Sequence, residues 1–283
     1  MLTARPSLPP HLGESLIDSL PEGPGVYLFR GADRIVLYVG KSLNIRQRVL
    51  AHFSADVTSS KEMSLTQQVH DIECLETGGE VGALLKEAAL IKELQPTHNR
   101  RLRRANALCS IVLTPSTTGM RALIMDLATA TPPTGCYGLF NSQREAQNAL
   151  KKLAVEHGLC HVLLGLEKPA GSRGCFARQL GRCRGACVGA EHEMQHAIRL
   201  TQALDTLKLK AWPYAGPAYL REGRDIHLVQ DWAWLGTARS ESELWSLLEE
   251  RDVRFDRDSY RILQKHQHLL RPLTRRSSQQ HGQ

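Results

Sequence analysis

Lys41, Arg48 and His52 place two cations and an imidazole in one short stretch, and Glu87 sets a single carboxylate into an otherwise apolar run. At about 100° per residue, Ile45, Val49 and Phe53 form one apolar helical stripe, and Lys41, Arg48 and His52 project together along its edge. A purely solvated charged face would point away from that stripe. Cations beside a buried face, next to the Gly40 turn and a helix N-terminus, suit a phosphate. In a helix read over 80–94, Ala83, Leu84, Leu90, Ile91 and Leu94 define the apolar face, with Glu87 in its middle. A carboxylate buried there needs a compensating partner. Two readings stay open: an ion pair to an arginine, or a metal ligand facing the cationic edge.

Four of the seven cysteines, Cys160, Cys175, Cys183 and Cys187, follow the pattern C-x14-C-x7-C-x3-C among Gly171, Gly174, Gly181 and Gly185. A loop of this kind can wrap a small object. Zinc sites usually show paired C-x2-C knuckles, and that pairing is absent. Wide, uneven spacing suits a [4Fe–4S] cluster at least as well. Four unrelated reduced thiols are a third reading, because buried cysteine is common. An odd cysteine total without a signal segment argues against a disulfide framework.

The elements that must position these groups are legible in outline. A short helix near 15–20 and a turn at Pro21-Glu22-Gly23-Pro24 precede two β-rich runs, 25–30 and 35–39, joined as a hairpin by Gly31-Ala32-Asp33. Tyr27 and Tyr38 lie on its strands, and Gly25 and Gly40 at its ends. Ser42 is placed to N-cap the helix that ends near Phe53. A polar helix over 60–71, a strand over 72–76, a Gly78-Gly79 break and the helix over 80–94 follow, the last stopped by Pro96. Strands over 109–114 and 121–127, a helix over 143–157, the cysteine segment and a helix over 190–208 come next. Trp212, Trp232, Trp234 and Trp245 mark a change of composition, read as core for most of the rings and as a docking surface otherwise.

The expected fold is α/β (α+β). A small, mostly antiparallel sheet flanked by helices forms an N-terminal domain, followed by a cysteine region and a small C-terminal domain. The expected divisions are a lead over 1–20, a domain over 21–104, a middle region over 105–210 and a C-terminal domain over 211–283 with a disordered tail.

Net charge is +7 and the pI about 9.1, which favours a polyanionic partner through counterion release. The arginines cluster in three places: Arg100, Arg101, Arg103 and Arg104; Arg173, Arg178, Arg182 and Arg184; and Arg271, Arg275 and Arg276. No apolar run approaches the ~20 residues of a membrane helix, and no apolar signal core opens the chain. A cytoplasmic address without a membrane partner is expected.

The strings GVYLF…LYVGKSLNIRQRVLAHF and LLKEAALIKELQPTHNRRL resemble the GIY-YIG nuclease domain of the UvrC family over roughly residues 20–104. CFARQLGRCRGACVG resembles the cysteine region that follows it, and the short remainder resembles the Cho-type members of that family. The resemblance implies phosphodiester hydrolysis in damaged double-stranded DNA. It further implies one incision on the 3′ side of a lesion, after the UvrA/UvrB complex has located it. By position it implies Tyr38 as the base that activates water, with Tyr27 assisting. A free phenol with pKa ~10 is a poor base at neutral pH, so Lys41 and a divalent cation, Mg²⁺ or Mn²⁺, would stabilise its ionised form. Arg48 would neutralise the phosphate, and Glu87 would be the one protein carboxylate on the metal. Asn99 would hydrogen-bond near the scissile phosphate or hold the loop. His52 stands where UvrC enzymes usually carry tyrosine, and is expected to titrate near pH 6.5.

For the four cysteines the resemblance implies a [4Fe–4S] cluster with a structural or DNA-sensing role, with zinc as the alternative. Two rival functions remain. A GIY-YIG nuclease outside repair would not need the cysteine match. A non-catalytic damage-recognition subunit would not need Tyr27, Tyr38, Lys41, Arg48 and Glu87 together.

Overall fold

The structure, a computed structural model, describes residues 10–54, 60–99, 108–116, 119–127, 135–168, 171–249 and 255–274. The arginine run from Arg100 to Arg104, the boundary near 105, Arg275, Arg276 and the tail expected to be disordered lie outside the described residues. The chain forms two compact units, one of residues 1–105 with 214–283 and one of residues 106–213. Among the described residues no helix is long and apolar enough to cross a membrane.

In the first unit, α1 (Glu14–Ser19) leads into β1 (Gly25–Arg30), and β2 (Val36–Ser42) returns antiparallel to it. β3 (Asp71–Glu76) pairs with the other edge of β1, also antiparallel, giving the order β2-β1-β3. Side chains alternate across a strand, so β1 serves two cores. Tyr27 and Phe29 pack with Ile45, Val49 and Phe53 from α2 (Ile45–His52) and its end, and with Leu65 of α3 (Ser60–Thr66). Val26 and Leu28 pack with Val39 and with Leu90 and Ile91 of α4 (Glu80–Leu94). The cap expected from Ser42 is made two residues later. Ser42 closes β2, and Asn44 caps α2 by accepting from the Gln47 N–H at 2.8 Å. Ser42 Oγ instead accepts from the Asn44 N–H at 3.0 Å and so shapes the turn.

In the second unit, β4 (Cys109–Ser116) lies between β5 (Gly119–Asp126) and β6 (Cys136–Phe140), all antiparallel. Sequence periodicity misses β6, whose central Gly138 has φ 72° and interrupts the alternation. α5 (Gln143–Glu156) and α7 (Glu193–Asp205) cover the sheet, with Leu150, Leu200 and Leu204 against Cys109 and Ile111. The one-turn α6 (Phe176–Gln179) lies between them in the cysteine segment.

The chain then completes the first unit. β7 (Ala218–Glu222), β8 (Asp225–Gln230) and β9 (Ala233–Ala238) form a meander, accompanied by α8 (Glu241–Glu249), α9 (Arg257–Lys265) and β10 (Arg271–Pro272) on the β7 edge. These residues grip α4 at both ends. Gly79 occupies the α4 N-cap position and offers no side chain. Glu222 substitutes, accepting from the Val81 N–H at 3.0 Å and the Gly82 N–H at 2.7 Å. Asp225 accepts from the Gly78 N–H at 2.8 Å. The approach requires glycine, since a Cβ on Gly78 would lie 1.9 Å from the Glu222 carbonyl oxygen. At the other end Lys92 bonds Asp256 and lies 2.9 Å from Asp258, the residue that follows the first of α9. Covered on a second side, α4 buries Leu85 and Ala88 as well as the expected face, while Leu84 and Leu94 are only half-buried.

Candidate active site

The register of the hairpin places Tyr27 opposite Gly40 and Phe29 opposite Tyr38. Tyr27, Phe29, Tyr38 and Gly40 therefore share one face. A Cβ on Gly40 would lie 2.4 Å from the Tyr27 hydroxyl and 2.7 Å from the Tyr38 ring, so glycine is what lets the two phenols lie over this strand. Their ring centroids are 6.1 Å apart.

α2 supplies the next groups. His52 was expected along the edge of the apolar stripe with Lys41 and Arg48, and it goes further into the core than either, at only 5% exposure. It turns inward, and its Nε2 and the Tyr27 hydroxyl are hydrogen-bonded at 2.8 Å. The opposite nitrogen, Nδ1, lies 3.6 Å from Glu62 of α3. Burial first, then the charge of Arg48, pull the imidazole down to about 4. It is therefore neutral at pH 7, not poised near 6.5 as expected, because a desolvated imidazolium is disfavoured. Arg48 is exposed and hydrogen-bonds the Tyr27 phenol.

α4 brings Glu87 to the same end of β2, where its Oε1 accepts from the Lys41 backbone N–H at 3.1 Å. Glu87 is half-buried, on the flank of the apolar face and not at its centre. Burial raises its pKa, and the Lys41 N–H and ammonium partly offset this. The Lys41 ammonium is 3.2 Å from Glu80, one residue into α4. Lys41 thus ties β2 to α4, and Arg48 is the cation at the phenols. Asn99 is clamped to β2: its Oδ1 accepts from the Val39 N–H at 2.9 Å and its Nδ2 donates to the Val39 carbonyl at 2.8 Å.

Both phenols hold their protons tightly in this arrangement. Burial raises Tyr27, Tyr38 alongside raises it further, and Arg48 lowers it only in part. Burial and then the Glu87 charge raise Tyr38, against a hydrogen bond from Tyr27 and the charge of Arg48. Glu62 and Glu80 escaped the sequence reading. For Glu80 a signal existed, since it lies two helical turns before Glu87 on the same face. Glu62, in a polar helix, had none.

The His52 geometry carries a pH prediction. Its folded pKa is depressed from 6.5 to about 4, so the associated stability is present above pH 6.5 and is lost as pH falls towards 4. His52→Gln, which keeps a hydrogen-bonding amide, is expected to flatten the fall in melting temperature between pH 6.5 and 4. Parallel pH melts of the two proteins check this, and superimposable curves would remove His52 from the acid limb.

In the second unit the four cysteines come together. The sulfurs of Cys160, Cys175 and Cys187 lie within 4.8 Å of one another. Cys183 is close enough to hydrogen-bond Cys175 and Cys160, and its Sγ accepts from the Gly185 N–H at 3.3 Å. Burial pushes the Cys187 thiol up to about 11. At Cys175 burial is outweighed by hydrogen bonds from the Arg178 backbone and the other three thiols, so that thiol is held below its ordinary value. Four converging sulfurs in a buried pocket suit a soft metal centre.

The family described as the UvrC-like GIY-YIG domain matches residues 23–100, the UvrC/Cho excinuclease middle domain residues 98–206, and the excinuclease Cho C-terminal domain residues 217–278. The chain is 42% identical over 263 residues to excinuclease Cho of Escherichia coli (strain K12), covering 91% of this chain and 86% of that one. It is 34% identical over 193 residues to UvrABC system protein C of Desulforudis audaxviator, covering 66% of this chain and 30% of that one. Among solved structures it is similar to the GIY-YIG N-terminal endonuclease domain of UvrC from Thermotoga maritima bound to magnesium, with a TM-score of 0.28, 27% identity, and coverage of 30% of this chain and 92% of that one.

Proposed function

The chain belongs to the excinuclease Cho family and is a DNA endonuclease, and from that premise we propose that it incises the damaged strand on the 3′ side of a lesion located by UvrA and UvrB. The observation that supports this most directly is the meeting of Glu87, Tyr38, Tyr27 and Arg48 at one end of the β1–β2 hairpin.

A lone half-buried carboxylate beside phenol oxygens is a hard donor set that fits Mg²⁺ or Mn²⁺. A divalent cation held by Glu87 supplies Lewis acidity and positive charge near the phenols. With a cation in place, Tyr38 would first lose its own proton to solvent, because the positive charge of the ion and of Arg48 would offset the burial and the Glu87 charge that hold it. As phenolate it would take the proton of the attacking water as the new P–O bond forms and the scissile P–O bond breaks, and the leaving oxygen would take a proton from solvent. Tyr27, fixed by His52, orients Tyr38 and the water. Arg48 places its planar fork on the phosphate oxygens, where charge grows in the transition state. Lys41 and Asn99 hold the backbone around Tyr38: Lys41 through Glu80 and Glu87, Asn99 through both backbone groups of Val39.

The same reading assigns 21–104 to the nuclease domain, 105–210 to the cysteine region and 211–283 to the C-terminal domain. It gives the four cysteines a [4Fe–4S] cluster in preference to zinc, and iron, sulfide and zinc analysis with the visible spectrum distinguishes the two. The test of function is nicking of duplex bearing one bulky adduct, preloaded with UvrA and UvrB, in Mg²⁺. One cut 3′ of the adduct is expected, slowed about 10²–10³-fold in Arg48→Ala. Equal cutting of adduct-free duplex would indicate a nuclease outside repair. Unchanged cutting by Arg48→Ala would remove that residue from the site.

A further inference from the structure

The arginine-rich segment around the four cysteines has no part in the hydrolytic site, yet it has the make-up of a nucleic-acid contact. From Lys168 to Ala190 the chain carries Lys168, Arg173, Arg178, Arg182 and Arg184 and no acidic residue. Arg178 is consumed by the fold. It packs against Gly174 and Gly185, where a Cβ on Gly185 would lie 2.9 Å from its Nε. Arg173, Arg182 and Arg184 are exposed.

Between them stand two apolar side chains in water, Phe176 at 61% and Leu180 at 50% exposure. Phe176 is not a loose ring on a floppy loop. It is the first residue of α6, follows the buried Cys175, and donates its backbone N–H to Glu167 at 2.5 Å. Its neighbour Ala177 is buried among the cysteines. The segment thus spends backbone order on holding an aromatic ring outward.

We propose that this segment is a second duplex-DNA contact, in which Arg173, Arg182 and Arg184 bind backbone phosphates while Phe176, backed by Leu180, presses its ring on a base step. The proposal rests on the reading of the chain as a DNA nuclease. Arginine forks match phosphate oxygens in pairs, and phosphate contacts position a protein without reading sequence. An apolar side chain set among them can stack on bases or wedge a weakened step. The reach is suitable. Phe176 adjoins Cys175, and Arg182 and Arg184 flank Cys183, whose thiol hydrogen-bonds that of Cys175. Through that thiol contact the three positions lie within roughly 18 Å of one another, one residue of backbone on each side of the two cysteines, a span that a few successive phosphates cover. Charge favours DNA over a protein partner: the exposed Lys168, Arg173, Arg182 and Arg184 outnumber Glu167, whose Oε1 is occupied by the Phe176 N–H, and an excess of cations suits a uniform polyanion better than a mixed surface.

The full-length protein and labelled duplex, with and without a mismatched bubble, provide the test, by anisotropy at a series of salt concentrations without divalent cations. The triple variant Arg173→Gln/Arg182→Gln/Arg184→Gln is expected to bind at least tenfold more weakly at 150 mM salt. Its log Kd–log salt slope should fall by about 2–3, near 0.9 per phosphate lost. Phe176→Ala is expected to weaken binding to the bubble about tenfold with the slope unchanged, and Phe176→Tyr to restore it. Melting temperature controls for folding. Should the triple variant melt early, the three single variants carry the test, each expected to remove about one unit of slope. Wild-type affinity and slope in the triple variant would overturn the proposal, as would loss of UvrB capture with DNA binding intact. Arg48→Ala, which should lose cutting but no more than about one unit of slope, separates this outcome from failure of the nuclease reading.

Discussion

Glu87→Gln is expected to slow incision by about three orders of magnitude while leaving the fold at least as stable. Glutamine retains an oxygen for the Lys41 N–H, now held at 3.1 Å by the carboxylate, so the link between α4 and β2 survives. What disappears is the negative charge, the feature that suits a divalent ion, and removal of one preorganised electrostatic group costs about 10²–10³ in rate. The stability claim follows from burial, which raises the Glu87 pKa against the opposing Lys41 contributions. A carboxyl whose folded pKa is raised stabilises the fold below its unfolded pKa and loses that contribution as pH climbs through the folded value. At pH 7 the ionised group is therefore a cost, and the amide relieves it. Single-turnover nicking in saturating Mg²⁺, together with thermal melts, checks both halves. Cutting within tenfold of wild type would move the metal elsewhere, and a large drop in melting temperature would make Glu87 a structural residue.

Glu222→Ala is the second large effect, although Glu222 lies far from Glu87 in sequence. Two backbone N–H groups at the start of α4 lose their acceptor, at 3.0 and 2.7 Å in the folded protein, and Gly79 cannot replace it. Loss of a helix cap costs about 0.5–2 kcal/mol, and buried donors left unpaired raise the total to about 2–3 kcal/mol. Burial opposes ionisation of Glu222, but hydrogen bonds from His227, Gly82 and Val81 outweigh it and hold the carboxyl below its usual range. The charge therefore sits at the positive end of the helix dipole at neutral pH. α4 also carries Glu80 and Glu87, so its fraying should raise the Mg²⁺ concentration needed for half-maximal cutting about tenfold. Urea melts and a Mg²⁺ titration measure the two effects. A stability loss under about 0.5 kcal/mol would show the cap to be incidental.

Much of this was legible in the residues because the relevant signals are local. Strand alternation around Tyr27 and Tyr38, the stripe Ile45, Val49 and Phe53, and the periodicity over 80–94 all lie within single elements, and β1, α2 and α4 form there. Convergence of Cys160, Cys175, Cys183 and Cys187 was likewise implied by a glycine-rich loop. What escaped depends on distant partners. Helical geometry puts His52 beside Arg48, but only the Tyr27 hydroxyl explains why its ring turns inward. The Asn44 cap displaces Ser42 because β2 runs on to that residue through its pairing with Gly25. Burial of Leu85 and Ala88 makes sense only once the C-terminal elements cover α4.

The Glu222 clasp also orders events during synthesis. Glu222 lies 140 residues after Gly82, and bacterial-type translation at about 5–20 residues per second places roughly 7–30 s between the two. Late in that interval the phenols, the guanidinium and the acidic ligand have all been made, but the helix bearing the last still lacks its N-terminal anchor. The full grip of this helix on its neighbours therefore arrives late, when the distal hairpin emerges and docks.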